Sequence, residues 1–172
     1  MVPENTKIQI HKAETADAPE IWKILQHAIT RRKIDGSTQW QDGYPNPDTI
    51  HNDIAKGYGF TFSAQGKIAG YAAVILDLEP EYEELNTWEC KPPYAVIHRV
   101  AVGSDFLNKG VATEIFRSVE KLVLDKKIGS IRVDTISDNE GMLRIFEKLN
   151  YIYRGEVFVR GAARRAFEKK LS

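Results

Sequence analysis

Residues 94–151 read YAVIHRVAVGSDFLNKGVATEIFRSVEKLVLDKKIGSIRVDTISDNEGMLRIFEKLNY, and their order decides the fold. YAVIHRVAV (94–102) is a mostly apolar, β-branched run, the pattern of a central strand. Residues 109–127 place Val111, Ile115, Val119 and Leu122 at helical spacing and predict an amphipathic helix. SIRVDTI (130–136) predicts a strand. Asn139 to Leu149 predicts a helix with Met142, Ile145, Phe146 and Leu149 on one face, and Asn139 is a good N-cap.

Working outward, YIYRGEVFV (151–159) and RRAFEKKL (164–171) read as two closing strands. Upstream, KIQIH (7–11) alternates as a short strand. Thr15 and Asp17 are capping residues before the helical run EIWKILQHAI (20–29). RRKIDGSTQWQDGYPNPD (31–48) reads as a loop, and Asn46-Pro47 opens a short helix to about Lys56. Residues 58–64 and 68–76 are strand-like and joined by a hairpin-length QGK. Residues 79–93 form a long polar-aromatic connection. Hairpins followed by βαβ alternation predict an α+β sheet with helices on both faces, in a single domain spanning 1–172.

The 172 residues carry 24 Lys+Arg and 24 Asp+Glu, so the formal net charge is zero. At 42% hydrophobic and 28% charged, the composition is that of an ordinary soluble globular chain. A chain of this length buries about 70% of its unfolded surface and needs no staples. Cys90 is the only cysteine, which excludes an intramolecular disulfide framework and a cysteine-rich zinc site. His11, His27, His51 and His98 lack metal-ligand spacing, so no metal is expected. Walker, GxGxxG and GxSxG motifs are absent from the sequence. No apolar run approaches the ~20 residues of a membrane span, and MVPENTK is too polar for a signal peptide. A cytoplasmic location without a membrane partner is expected. Residues 1–86 hold 8 Lys+Arg against 13 Asp+Glu, and residues 87–172 hold 16 against 11. A basic half suits an anionic ligand and an acidic half a cationic one. Dispersed basic residues and a neutral pI argue against nucleic acid.

Gly110 lies at the start of the 109–127 helix. Free N–H groups, the helix dipole and a missing Cβ make such a place suit an anion, although a glycine there also reads as a plain turn residue. With its neighbours, the stretch resembles the GCN5-related N-acetyltransferase (GNAT) superfamily. HRVAV (98–102) is similar to the family's central strand. LNKGVA (107–112) stands where the family has a Gln/Arg-x-x-Gly-x-Gly/Ala pyrophosphate loop. IRVDTISDNEGMLRIFEKLNY (131–151) resembles the following strand, Asn-led helix and Tyr-Glu-Lys-x-Gly-Phe segment. The resemblance is good over 94–155 and thin through the terminal FEKKL. In the first half it rests mainly on element order.

The resemblance implies an α+β fold. A six- or seven-stranded mixed, mostly antiparallel sheet would splay between strands 4 and 5, with about four flanking helices. It implies acetyl transfer from acetyl-CoA to a primary amine of a small molecule or peptide, by direct attack in a ternary complex. The backbone of Val100, Ala101 and Val102 would pair with pantetheine. Asn108, Lys109, Gly110, Val111 and Ala112 would hold the pyrophosphate on their N–H groups, with a hydroxyl from Thr113. Asn139 and Lys148 would lie near the pantetheine or the 3′-phosphate, though they also read as an N-cap and a solvated helix residue. Leu107 occupies the Gln/Arg position of the loop, which leaves Lys109 to supply charge. Phe146 stands where many members have a tyrosine that protonates the leaving thiolate. Water, Tyr151 or Tyr153 would have to substitute. Asn150 replaces the common glycine and tolerates the same left-handed conformation.

An alkylamine acceptor, with a pKa of about 10.4, is neutral in about one molecule in 10³ at pH 7, so deprotonation costs roughly 4–5 kcal/mol. A thiol near pKa 8.5 leaves with only about 2 kcal/mol of unfavourable protonation balance, so a base matters more than an acid. Strand alternation puts Val96, His98, Val100 and Val102 on one face, and Ile97, Arg99 and Ala101 on the other. His98 is therefore a candidate base or water relay, or else a core histidine bonded to backbone. The Val100 N–H is the candidate oxyanion donor. Glu81, Glu84 and Glu89 are weaker base candidates. On the acceptor side, Trp40, Tyr44, Tyr82 and Trp88 lie in QWQDGYP (39–45) and EPEYEELNTWE (79–89) with Asp42, Glu81, Glu83 and Glu84. That composition suits a cation. The same aromatics also read as loop anchors or a dimer contact, so a homodimer stays open. Trp22 reads as core and Cys90 as an incidental thiol. Two alternatives remain: a longer acyl-CoA donor, and an acyl-CoA-binding regulator without efficient transfer.

Overall fold

The computed structural model describes residues 7–172, so of MVPENTK only Lys7 falls within it. In chain order the elements are β1 (Gln9–Lys12), α1 (Ala18–Ile34), α2 (Pro47–Lys56), β2 (Gly59–Ala64), β3 (Lys67–Ile75), α3 (Pro80–Glu83), β4 (Ala95–Val102), α4 (Val111–Asp125), β5 (Ser130–Thr135), α5 (Glu140–Lys148), β6 (Ile152–Val159) and β7 (Ala162–Lys170). The strands form one mixed sheet in the order β1-β2-β3-β4-β5-β7-β6. Antiparallel pairs join β1 to β2, β2 to β3, β5 to β7 and β6 to β7. β4 and β5 are parallel, and their ladder holds the pairs Ala95↔Ile131 and Val96↔Arg132 while β4 runs on to Val102. No helix among the described residues is long and apolar enough to cross a membrane.

The chain groups into two compact units: residues up to Val74 with Arg99–Ser118, and Ile75–His98 with Val119–Ser172. In the first, α1 buries Ile21, Ile24, Leu25 and Ala28 with Ile50 of α2, Tyr71 of β3 and Ala101 of β4. Trp22 and Trp40 pack partly buried against that core. α2 starts as its sequence predicts: the Asn46 side chain accepts from the Thr49 N–H at 3.1 Å, and Pro47 follows. α1 runs to Ile34, past the expected loop start at Arg31. Its last turn is basic, which suits the negative helix end. Arg31 and Arg32 are also anchored, on the Val102 carbonyl at 3.0 Å and on Gln39 at 3.1 Å. A Cβ on Gly70 would stand 2.6 Å from Ile115 Cδ1 and 2.9 Å from the Ala101 carbonyl, so glycine is what lets β3 lie this close to β4 and α4.

In the second unit, Phe146 of α5 stacks on Phe167 of β7 (centroids 4.9 Å apart) and on Tyr151 (5.7 Å). Arg132 of β5 lies over the rings of Tyr94 (3.8 Å) and Trp88 (4.4 Å). Glu168 of β7 is 1% exposed and accepts from the backbone N–H of Glu89 (2.9 Å) and Cys90 (3.1 Å) and from Arg154 Nε (3.0 Å). These bonds fasten the 79–93 connection. That connection contains the short helix α3, unlike the irregular segment expected. Four residues opened by Pro80 are too few to show a helical period.

β4 departs from simple alternation. Arg99 has φ 54, a left-handed conformation inside an otherwise extended strand. The alternation that would put His98 and Val100 on one face is thus interrupted at the residue between them.

Candidate active site

In the first unit, the left-handed Arg99 is held at its far end. Nε donates to Asp53 Oδ2 at 2.9 Å, Nη2 donates to Oδ1 at 2.6 Å, and Nη1 donates to the Tyr44 hydroxyl at 2.6 Å. Asp53, on α2, is 0% exposed and also accepts from the Tyr71 hydroxyl at 2.6 Å. Burial works against the Arg99 charge, but Tyr44 and Asp53 outweigh it and raise the guanidinium pKa. Burial, then the Asp53 charge, pushes the Tyr71 phenol up, so it stays a donor.

Beyond β4, Gly103 donates to the Ala69 carbonyl at 2.7 Å, and a short turn at Ser104–Phe106 leads to α4. Asn108 (φ 59) and Gly110 (φ 75) are both left-handed. Glu114 donates to the Gly110 carbonyl at 3.2 Å, so the N–H groups of Val111, Ala112 and Thr113 precede the helical ladder. This turn has the donors and the dipole end that a pyrophosphate needs. Lys109 donates to the Asp105 carbonyl at 3.1 Å and stands 5.9 Å from the Phe106 ring, so its ammonium is held within the loop. Leu107 is half-buried, and Thr113 and Val111 are buried. Ala101 is buried, and the Val102 carbonyl already accepts from Arg31.

In the second unit, His98 lies between two carboxylates. Nε2 is 3.1 Å from Glu79 Oε1 and Nδ1 is 4.0 Å from Asp134 Oδ2. Asp134 also accepts a hydrogen bond from the Tyr82 hydroxyl and pairs with Arg164 at 3.8 Å. Burial, then Asp134, drives the Tyr82 pKa well above the ordinary range, so Tyr82 is a permanent donor here. The Glu79 N–H donates to the Tyr94 hydroxyl at 3.0 Å, which itself donates to Glu83 at 2.7 Å. Asn139 caps α5 by accepting from the Met142 N–H at 3.2 Å. Phe146 is buried against aromatic rings, and Lys148 is exposed.

Of the residues the sequence singles out, Trp40, Tyr44, Val100, Ala101, Val102 and 107–113 lie in the first unit. His98, Tyr82, Trp88, Asn139, Phe146 and Lys148 lie in the second. Tyr82 is 1% exposed, so its ring supports the His98 cluster instead of offering a face to a ligand. Trp88 is partly buried, donates to the Tyr82 carbonyl at 2.8 Å and covers Arg132. Cys90 is a half-exposed free thiol whose pKa burial raises. Asp53, Glu79, Asp134 and Arg164 were not anticipated. Each partners a residue at least 19 positions away, and no local pattern announces such a pair.

The sequence model of the acetyltransferase (GNAT) family matches residues 19–151. A GNAT-family acetyltransferase from Streptococcus agalactiae is 32% identical over 96% of both chains, with a TM-score of 0.88. A GNAT-family acetyltransferase from Listeria monocytogenes (20% identity, 99% of each chain, TM-score 0.78) shares the fold. So does a Salmonella typhimurium protein solved with its cofactor acetyl-CoA (15% identity, 97% of this chain and 95% of that one, TM-score 0.68). No curated protein matches the sequence. The family match spans β4, the Gly110 turn and α5, and the chain belongs to the GNAT acetyltransferase family.

Proposed function

We propose that the chain works as one GNAT-type domain that acetylates a primary amine of a small molecule or peptide, with acetyl-CoA as donor, by direct attack in a ternary complex. The observation that carries this is the 32% identity to a GNAT-family acetyltransferase across 96% of both chains. Acetyl-CoA supplies a thioester open to aminolysis, releasing coenzyme A as a thiol. Asn108 to Ala112 hold the pyrophosphate on backbone N–H groups, flanked by Leu107 and Thr113. Val100, Ala101 and Val102 pair with the pantetheine through backbone groups. Asn139 and Lys148 of the second unit are further candidate cofactor residues, whereas Phe146 is enclosed by Tyr151 and Phe167. The Val100 N–H donates to the carbonyl oxygen as it gains charge.

His98 removes the amine proton, directly or through water. Its Nε2–H faces Glu79, which leaves Nδ1 as the proton acceptor. The imidazolium so formed has a carboxylate at each nitrogen, Glu79 and Asp134. A base is needed there because a protonated alkylamine gives up its proton at a cost of roughly 4–5 kcal/mol at neutral pH. Trp40 and Tyr44 of the first unit are the aromatics read as acceptor-side.

Thermal unfolding with and without acetyl-CoA and CoA tests the donor site. Ligand at a hundred times its dissociation constant stabilises by about 2.7 kcal/mol. Thiol release across an amine panel then tests transfer. No shift at millimolar ligand, together with no thiol release, would overturn the reading. A second reading, an acyl-CoA-binding regulator, is favoured by Phe146, a buried phenyl without a proton to give. It requires tight CoA binding with no release across the panel.

A further inference from the structure

Three features of the first unit converge on one residue. Arg99 adopts φ 54 in the middle of β4, a conformation that costs a non-glycine residue free energy and lasts only where its surroundings enforce it. Its guanidinium is fixed at three points by the fork of Asp53 and the Tyr44 hydroxyl. Asp53 is itself fixed: it is enclosed on α2, and Tyr71 of β3 donates to it. The Arg99 side chain is only 10% exposed, so this is an internal tether and not a surface ion pair. The peptide following the tethered residue is the one that presents the Val100 N–H.

We propose that Asp53 is a positioning residue for acetyl transfer: through Arg99 it locks the irregular turn of β4 and so aims the Val100 N–H. Tyr44 shares the same guanidinium, so the 39–45 acceptor loop is tied to that strand through one side chain. This rests on the reading of Val100 as the oxyanion donor. The tether itself does not, because it exists without ligand. Asp53→Asn keeps the shape but removes the charge that holds the fork. Arg99→Lys keeps a charge but cannot span both carboxylate oxygens. Ile21→Val is the control: it thins the buried α1 core and leaves the Asp53–Arg99–Tyr44 contacts in place.

The experiment has two arms. Amide hydrogen exchange of residues 98–102, measured without ligand and referenced to residues 59–75, is expected to accelerate about tenfold or more in Asp53→Asn and Arg99→Lys, and to follow those reference residues in Ile21→Val. Steady-state kinetics are expected to show kcat lower by about 10- to 100-fold in the first two variants, with KM for acetyl-CoA little changed. Ile21→Val should lose stability without that kcat loss. If exchange at 98–102 relative to 59–75 is unchanged in Asp53→Asn, the tether is refuted whatever the activity. If Ile21→Val loses as much kcat as Asp53→Asn, the effect is general destabilisation and the proposal fails. A folded wild-type enzyme that transfers nothing would overturn the proposed function, while the exchange arm would still decide the tether. Should Asp53→Asn not fold, Arg99→Lys carries both arms.

Discussion

Asp53 accepts three hydrogen bonds, two from Arg99 and one from Tyr71, without touching solvent. Removing one member of a buried ion pair strands the other charge, at a cost of about 3–5 kcal/mol. Asp53→Ala should therefore lower the unfolding free energy by about 3–5 kcal/mol, read from urea midpoints at constant m. A loss below about 1 kcal/mol, the scale of a surface pair, would contradict that. For His98, kcat should fall by about 10²- to 10⁴-fold in His98→Ala. An unchanged kcat in the mutant would remove His98 from proton transfer. These residues differ in how far they could be read beforehand. Asn150 was legible: asparagine tolerates the left-handed region, and its φ is 65. Arg99 was not, because arginine carries no such preference and its neighbours all read as strand. What enforces its conformation, Asp53, lies 46 residues earlier. Glu79 was likewise hidden, 19 residues from the imidazole it faces.

The elements were more legible than the pairs. Strand runs and helical periods extend over many residues, so one misjudged position changes little. The strand β4 and helices α4 and α5 could be placed from β-branching, apolar spacing and Asn139. Errors fell where the signal is short or external: α3 has four residues, and the last turn of α1 is pinned by Gln39 and by the β4 end. Two glycines serve element geometry in different ways. Gly110 turns the chain into α4 at φ 75, where a β-branched side chain is a genuine outlier. Gly110→Val should weaken CoA binding by about tenfold or more, comparable to one lost hydrogen bond to a charged group. Full affinity by calorimetry would refute the pyrophosphate placement. Gly70 instead provides space, since a methyl group there would press on Ile115 and the Ala101 carbonyl. Gly70→Ala should cost about 1–3 kcal/mol by overpacking, and denaturant unfolding would show it. An unchanged midpoint would mean that the two strands separate freely.

Across the whole molecule, several tyrosines are enclosed with carboxylates. Tyr71, Tyr82 and Tyr151 all have phenol pKa values raised first by burial, and then by Asp53, Asp134 and Glu120 respectively. An unfolded tyrosine loses its proton near pH 10, whereas these keep theirs to higher pH in the folded chain. Their contribution is thus complete below about pH 10 and is lost as pH rises further. Urea unfolding at pH 8, 10 and 11 should show stability falling only over the last interval, and a flat response would contradict the enclosure. The mixed sheet with flanking helices and the family were readable at this scale, from the succession of elements and the motifs of 94–155, whereas the order in which β7 inserts between β5 and β6 was not. The grouping into two units was not, since it divides β4 between His98 and Arg99 and no composition shift marks that point.

The aromatic cover of Arg132 has an optical consequence. Trp88 lies against that guanidinium in one unit, while Trp22 and Trp40 belong to the other. These are the three tryptophans of the chain, so its intrinsic fluorescence is already divided between the two units. Replacing Trp88 with phenylalanine leaves emission from the first unit alone. Replacing Trp22 and Trp40 leaves a single indole, on the face of a cation, as a reporter of the second.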